Sequence, residues 1–370
     1  MRFTCEKYLL SLSVSTAGRA AATKSPVTAL EGLLLEAGEA GVRVTGFDLK
    51  KGIYTSFAAD VAEPGSVVIS ARLFGEIVRK LPDGIVTVES DSYNTVHVSC
   101  GNADYNVAGT PSEDYPELPA MDHGSSIVLA QETLSGMISQ TSFAISNNES
   151  RPVYTGALLE VESGVLTMVA VDGYRLALRR EHVDSCDVDM VRFIVPGSAL
   201  NDVEKICMNG EEKVTITVGS KHICFSVGDT VLISRRLEGE FLNYRKTVPF
   251  EFPVQVRAKK SDLIRCVDRV SLIIDDRTKN PLRCTFGDGM LKVSCATPLG
   301  RAEDSCEVEG NGGDMVIGFN NSYLTDALKA APEETLTVNL ISGSSPCVMT
   351  PEDGSEKFLY MILPVRLRAE

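Results

Sequence analysis

No two cysteines in this chain stand in a Cys-x-x-Cys pair, although ten are scattered between Cys5 and Cys347. That spacing excludes the common zinc and dithiol redox motifs and reads as reduced structural thiols in a cytosolic setting. The four histidines, His97, His123, His182 and His222, fall in strand or loop contexts without metal-ligand spacing. Neither a phosphate-cradling glycine loop nor a Gly-x-Ser-x-Gly elbow is written here, so no cofactor is implied and no catalytic constellation emerges. Positive charge is also in deficit, with a formal net charge of −14 and a pI near 4.9. An acidic body of this kind cannot wrap nucleic acid by bulk electrostatics, so any such contact has to be a local basic patch. No apolar run approaches the roughly eighteen residues of a membrane span. The opening Met1 to Leu10, charged at Glu6 and Lys7, has no signal-length apolar segment. A soluble, cytoplasmic protein without a membrane partner is the expectation.

What the chain does contain is a repeat. Its clearest block is Gly156-Ala157-Leu158-Leu159-Glu160-Val161, a polar turn, then Gly164-Val165-Leu166-Thr167-Met168-Val169-Ala170-Val171-Asp172. These are two strand-like segments joined by a short turn. The same layout stands about 124 residues earlier, as Gly32-Leu33-Leu34-Leu35-Glu36 and Gly41 to Asp48. It returns more loosely about 125 residues later, as Leu282 to Phe286, a Gly287-Asp288-Gly289 turn, and Met290 to Thr297. Three blocks in 370 residues with 44% hydrophobic content imply three tandem domains, each large enough to bury its own core. The boundaries read as 1–124, 125–248 and 249–370, with Pro111, Pro116 and Pro119 marking the first linker and Gly239 to Pro249 the second.

Each copy reads as helix, strands, helix, strands. In the first, Leu9, Leu10, Leu12 and Val14 predict a helix stopped by Gly18, and Leu73, Phe74, Ile77, Val78 and Leu81 predict a second helix stopped by Pro82-Asp83-Gly84. The second copy has the matching helices at Leu134, Met137, Ile138 and Phe143, and at Leu200, Val203 and Ile206. In the third they fall at Leu263, Ile264, Val267, Val270 and Ile274, and at Tyr323, Leu324 and Leu328. Alternating segments such as Val214 to Val218 and His222 to Val227 predict antiparallel strands with one buried face. The fold class is therefore α+β, with two helices laid on antiparallel sheets in each copy. Asp48 and Asp172 recur at equivalent strand ends, where capping of a turn is the simpler role than paired catalysis.

Four motifs on this threefold repeat resemble one family. They are Asp172-Gly173-Tyr174-Arg175-Leu176, the Phe241-x-x-Tyr244-Arg245 loop, Ile317-Gly318-Phe319-Asn320 with Tyr323, and Pro364-Val365-Arg366-Leu367. The whole chain is similar to the bacterial sliding clamp, the β subunit of the replicative DNA polymerase III. The resemblance implies a head-to-tail homodimer, each chain half of a closed ring, with helices lining the hole and sheets outside. Such a ring threads duplex DNA without sequence specificity and tethers a polymerase without catalysing anything itself. Its implied partners are a second copy, double-stranded DNA, the polymerase III α subunit, the clamp loader, and other polymerases and repair proteins that dock through short peptides ending in Leu and Phe. DNA-facing candidates are Lys24, Arg72, Arg79, Lys80, Lys205, Lys259, Lys260, Arg265 and Arg269, with Lys7, Arg19 and Lys329 as further positions.

The resemblance also implies a hydrophobic client cleft between the second and third copies. Carried over position by position, its walls are Tyr154, Val171, Gly173, Tyr174, Arg175, Leu176, Leu242, Lys246, Thr247, Asn320, Tyr323, Gly343, Ser345, Met361, Ile362, Leu363, Pro364, Val365, Arg366 and Leu367. Apolar walls would take the anchor side chains, and Arg175 or Asn320 would fix the peptide backbone. The chain departs from the family pattern in four places. Leu242 stands where proline is usual, and Thr247 replaces an apolar residue. The segment Ile273 to Lys279 differs from the family's subunit-interface loop, and Arg368-Ala369-Glu370 runs past its usual end. A specialised clamp serving repair polymerases, and a protein-binding scaffold that encircles nothing, remain alternatives to a replicative clamp.

Overall fold

The computed structural model describes residues 1–207, 212–275 and 280–367. Among them are the helices α1 (Lys7–Ala17), α2 (Ala71–Lys80), α3 (Gln131–Thr141), α4 (Gly197–Ile206), α5 (Tyr244–Thr247, one turn), α6 (Lys260–Ser271) and α7 (Asn321–Ala330). Every strand pairing among the described residues is antiparallel, so the architecture is the expected helices on antiparallel sheets. No described helix is long and apolar enough to cross a membrane.

The chain divides into two compact units. The first comprises Met1–Ser135, Asp184–Val188 and Asn201–Arg236. Its sheet runs from Ser185–Cys186 through Ser125–Ala130, Lys213–Val218, His222–Val227 and Thr230–Arg235 to Lys51–Phe57, Gly41–Phe47, Gly32–Gly38 and Gly65–Ser70. It then continues through Ala103–Thr110, Thr95–Cys100, Ile85–Ser90 and Arg2–Glu6 to Asp60–Glu63. The join between repeats is the pairing of Thr230–Arg235 with Lys51–Phe57 (Thr230 opposite Thr55, Ser234 opposite Lys51). The two threonine hydroxyls meet there at 2.8 Å. Phe3, Leu10, Leu33, Leu35, Phe74 and Val78 fill the core beneath α1 and α2, which pack against each other.

The second unit comprises Gly136–Val183, Asp189–Leu200 and Leu237–Glu370. Its sheet runs Met190–Pro196, Gly156–Glu162, Val165–Val171, Arg175–His182, Phe358–Ile362, Cys347–Pro351, Thr335–Leu340, Val254–Lys259, Gly300–Phe319, Leu282–Thr297. Here the join is Arg175–His182 against Phe358–Ile362, from Arg175 opposite Ile362 to Arg179 opposite Phe358. The middle repeat thus lends some strands to one sheet and the rest to the other.

Periodicity located the helices well, with two corrections. Leu73, expected on the buried face of α2, is 43% exposed, because the stripe centres on Phe74, Ile77 and Val78 and leaves position 73 at its rim. Ile274 lies beyond α6, which ends at Ser271, as Phe143 lies beyond α3, which ends at Thr141 and gives way to a 3-10 turn. The Ser271 hydroxyl donates to the Val267 carbonyl at 2.6 Å, the next residue, Leu272, is exposed, and the helix goes no further. A third correction concerns Gly287-Asp288-Gly289. It is no hairpin turn but a passage of shifted register inside one long strand, Leu282–Thr297, which pairs along its length with Gly300–Phe319. The tripeptide keeps the turn's composition, while the flanking residues find ladder partners on the neighbouring strand. Strand Cys347–Pro351 was not anticipated.

Burial explains the cysteine chemistry. It penalises the thiolate, pushing Cys5, Cys207 and Cys347 up to about 12. Cys186 and Cys306 are only partly buried, and hydrogen bonding with the Cys266 thiol holds Cys306 below the usual range. Iodoacetamide at pH 8 on the folded protein is expected to label Cys186 and Cys306 well before the eight buried thiols. Mass spectrometry of timed digests checks this, and early labelling of Cys5 or Cys347 would contradict the packing.

Candidate functional site

The site grows from one turn in the second unit. Strands Val165–Val171 and Arg175–His182 are joined by Asp172, Gly173 and Tyr174. Gly173 takes φ +96°, a conformation glycine adopts without a Cβ penalty. Asp172 Oδ1 accepts from the backbone N–H of Tyr174 (2.9 Å) and Arg175 (3.0 Å), an Asx-type cap. Asp48 makes the same turn in the first unit, its Oδ1 accepting from the N–H of Lys50 and Lys51. The recurring aspartates are therefore turn caps.

The turn aims Arg175 along the sheet. Its Nε donates to Asp172 Oδ2 (2.9 Å) and its Nη1 to Asp326 Oδ2 (2.6 Å). The guanidinium also lies over the Tyr323 ring at 4.5 Å and the Phe143 ring at 5.3 Å. Only 11% of the side chain remains exposed. Asn320 is committed too, since its Oδ1 accepts from Ser322 N and Tyr323 N as the N-cap of α7. Both residues expected to hold a peptide backbone make internal contacts that fix the surrounding turn and helix in place. Tyr174 stands outward, 61% exposed, stacked on Tyr323 with centroids 6.0 Å apart.

The C-terminal segment completes this surface. Leu363 N donates to Tyr174 O (2.9 Å), and Val365 N to Gly318 O (2.8 Å). A Cβ on Gly318 would meet the Val365 carbonyl at 2.3 Å and the Leu367 side chain at 2.9 Å. Gly318 is thus what lets the segment approach. Leu363, Pro364 and Leu367 are half-buried, while Val365 and Arg366 are exposed. Below lies one apolar cluster containing Val171, Leu176, Phe241, Tyr244 and Met361, with Tyr154 and Leu242 packed against it. Tyr154 meets Phe241 edge to face at 5.5 Å. Leu176 and Ile362 are fully buried and support the walls from beneath. Lys246 and Thr247, in α5, face solvent. Gly343 lies against the Val316 carbonyl, and the Ser345 hydroxyl bonds that of Ser342.

The cationic candidates divide by their partners. Lys24, Arg72, Arg79, Lys80, Lys205 and Lys259 are exposed, and none is ion-paired among the described residues. On α2 the exposed positions Arg72, Glu76, Arg79 and Lys80 follow helical spacing opposite the Phe74 stripe. Arg265 and Arg269 share the exposed face of α6, but each is paired, with Asp262 and Asp304 respectively. Lys260 donates to the Ala331 carbonyl at 2.9 Å, and Lys7 pairs with Asp83.

Three family models of the DNA polymerase III beta subunit match the chain in order. The N-terminal domain covers residues 1–119, the central domain 128–243 and the C-terminal domain 245–366. The chain belongs to the DNA polymerase III β-subunit family. A curated relative, the beta sliding clamp of Halalkalibacterium halodurans, is 30% identical over 381 residues, spanning 99% of this chain and 100% of the relative. A DNA polymerase III beta subunit from Eubacterium rectale superposes with a TM-score of 0.93 at 31% identity, covering 99% of this chain and 100% of that one. The DNA polymerase sliding clamp of Bacillus subtilis gives 0.93 at 27% identity, covering 100% of both.

Within this β-subunit fold, the second unit brings together the aromatic and C-terminal members of the expected cleft. Arg277 and Lys279 of the expected interface loop, with their neighbours Asp276 and Thr278, lie outside the described residues, as do Arg368, Ala369 and Glu370. Sequence reasoning missed Asp326 and Phe143, which hold Arg175. Asp326 did leave a signal, three residues after Tyr323 and so on the same helix face. Replacing Asp172 with Ala removes two backbone caps and one arm of the Arg175 clamp, and is expected to cost about 1–3 kcal/mol. Asp48→Ala in the matching turn should cost less, having no arginine to release. Urea unfolding midpoints of the two variants check the order.

Proposed function

We propose that this chain is a processivity clamp that closes head to tail with a second copy into a ring around duplex DNA, and that it performs no catalysis. Three domains, at 1–124, 125–248 and 249–370, make up each half. The observation that carries the reading is the full-length, in-order match of all three domain families on a fold shared with solved sliding clamps. The acidic composition supports it as well. A ring that slides must touch phosphates weakly, since each firm neutralisation adds to a salt-dependent grip. Lys24, Arg72, Arg79, Lys80, Lys205 and Lys259, which make no ion pair among the described residues, are the proposed DNA-facing cations. Arg265 and Arg269 meet the backbone as already half-neutralised pairs. Client peptides from the polymerase α subunit, the clamp loader and repair polymerases dock on the aromatic surface of Tyr174, Tyr323, Tyr154 and the Leu363 to Leu367 segment, and the site of action is the cytoplasm.

The exposed Tyr174, stacked on the half-buried Tyr323, favours this docking surface, because flat aromatic faces held rigid by neighbours make strong anchors. Arg175 serves it as a positioning residue. Arg175→Ala is expected to weaken a fluorescent peptide ending in Leu-Phe by about tenfold or more, while leaving the far-ultraviolet circular dichroism unchanged. The same variant should shorten the products made by the cognate polymerase and loader on a primed circle in a single binding event. Unchanged peptide affinity would remove the cleft from the account. Product lengths indifferent to the wild-type protein would remove the clamp function itself.

A further inference from the structure

In the first unit, the segment from Ser112 to Pro119 overlies the solvent face of strands Gly32–Gly38, Gly41–Phe47 and Lys51–Phe57. It leaves a groove of about 590 Å³, within the size range of ligand sites. Leu34 and Tyr54 form its apolar floor, with Glu36, Glu113 and Glu117 around it and Arg43 at one side. Arg43 lies over the Tyr54 ring at 4.9 Å. The three glutamates are exposed, and none has a hydrogen-bond or ion-pair partner among the described residues. Three carboxylates against one guanidinium repel a polyanion and favour a cation.

The internal repeat says which cation. Glu36 and Glu160 are counterparts, each four residues after the glycine that opens its strand. Glu36 stands opposite Arg43, and Glu160 opposite Thr167. In the second unit the linker tyrosine Tyr244 is buried and donates to Glu160. The next residue, Arg245, carries its guanidinium to both Glu160 and Glu162. In the first unit the linker tyrosine Tyr115 is likewise buried and donates to the Thr45 carbonyl at 3.3 Å. The residue after it is Pro116, which brings no charge. The position facing Glu36 on its other side is Ser66, where the second unit has Arg192 facing Glu160. The linker and edge-strand guanidinia that the second unit brings to Glu160 are missing at Glu36, where the one guanidinium in the groove is Arg43, opposite Glu36 in the ladder and held over the Tyr54 ring.

We propose that this groove is a docking site for an arginine-bearing peptide segment of a partner protein, with the guanidinium on Glu36 and Glu117 and a neighbouring apolar side chain on Leu34 and Tyr54. It is separate from the aromatic client surface and does not depend on that assignment. Since the chain contains no tryptophan, Tyr54→Trp installs a single fluorescent reporter that keeps an aromatic face beneath Arg43. The probe is the free acetylated peptide Leu-Asn-Tyr-Arg-Lys-Thr, the segment that carries the guanidinium in the second unit, titrated into the full-length protein. A saturable change in the indole spectrum is expected. It should be about tenfold weaker when citrulline replaces the arginine, the scale of one charge-assisted hydrogen bond, and equally weakened by Glu36→Gln with Glu117→Gln in the reporter background. Both glutamates are exposed, so an unchanged melting temperature will show that the double variant is folded. No saturable response, equal affinity for the citrulline peptide, or indifference to the double variant would each overturn the proposal.

Discussion

Backbone pairing between the repeats is the constraint on which the rest depends. An open antiparallel sheet ends in a row of unpaired N–H and C=O groups that must be covered. Here neighbouring repeats cover each other's edges, Thr230–Arg235 on Lys51–Phe57 in the first unit and Arg175–His182 on Phe358–Ile362 in the second. Register then does further work. Setting Arg175 opposite Ile362 delivers the C-terminal segment to Tyr174 and Gly318, so residues almost two hundred positions apart in sequence share one surface. The aromatic surface proposed for clients is thus a by-product of how the sheet is sealed.

Local signals were the legible ones. The matched blocks at Gly32, Gly156 and Leu282 exposed the repeat, the stripe of Phe74, Ile77 and Val78 gave α2, and strict alternation gave Lys213–Val218 and His222–Val227 nearly to the residue. Non-local events were not legible. Nothing in the sequence around Gly287-Asp288-Gly289 announces that Gly300–Phe319 will pair straight past it. Periodicity likewise did not show that α6 ends at Ser271. At the site, the family resemblance supplied the wall residues, yet the commitment of Arg175 to Asp172 and Asp326 depends on a contact across 151 positions. Composition showed how much positive charge the chain has. Only the structure separated the paired cations Arg265 and Arg269 from the unpaired ones on α2.

The charge distribution is the physical centre of the functional reading. With a net charge of −14, the chain cannot hold DNA by attraction over a broad face. It can hold DNA if the hold is topological, a matter of closure and not of affinity. Modest cations on helix faces, several of them already partnered by carboxylates, then keep the duplex centred without resisting its movement. Repetition with divergence accounts for the other half of the picture. The same linker tyrosine is buried in both units, as Tyr115 and Tyr244, while the residue after it is proline in one and arginine in the other. One face thereby receives a linker guanidinium on its glutamates, while the other keeps three exposed glutamates beside the single Arg43.

Retention on DNA before and after cutting is the most direct test. The protein would be loaded onto a nicked circular plasmid, the circle linearised with a single-site nuclease, and the bound fraction followed by gel filtration at moderate salt. Stable retention on the circle with rapid loss on the linear form is the predicted result, because only closure holds the DNA. Equal retention on both forms would mean that the chain grips DNA directly, and the sliding-ring account would be wrong.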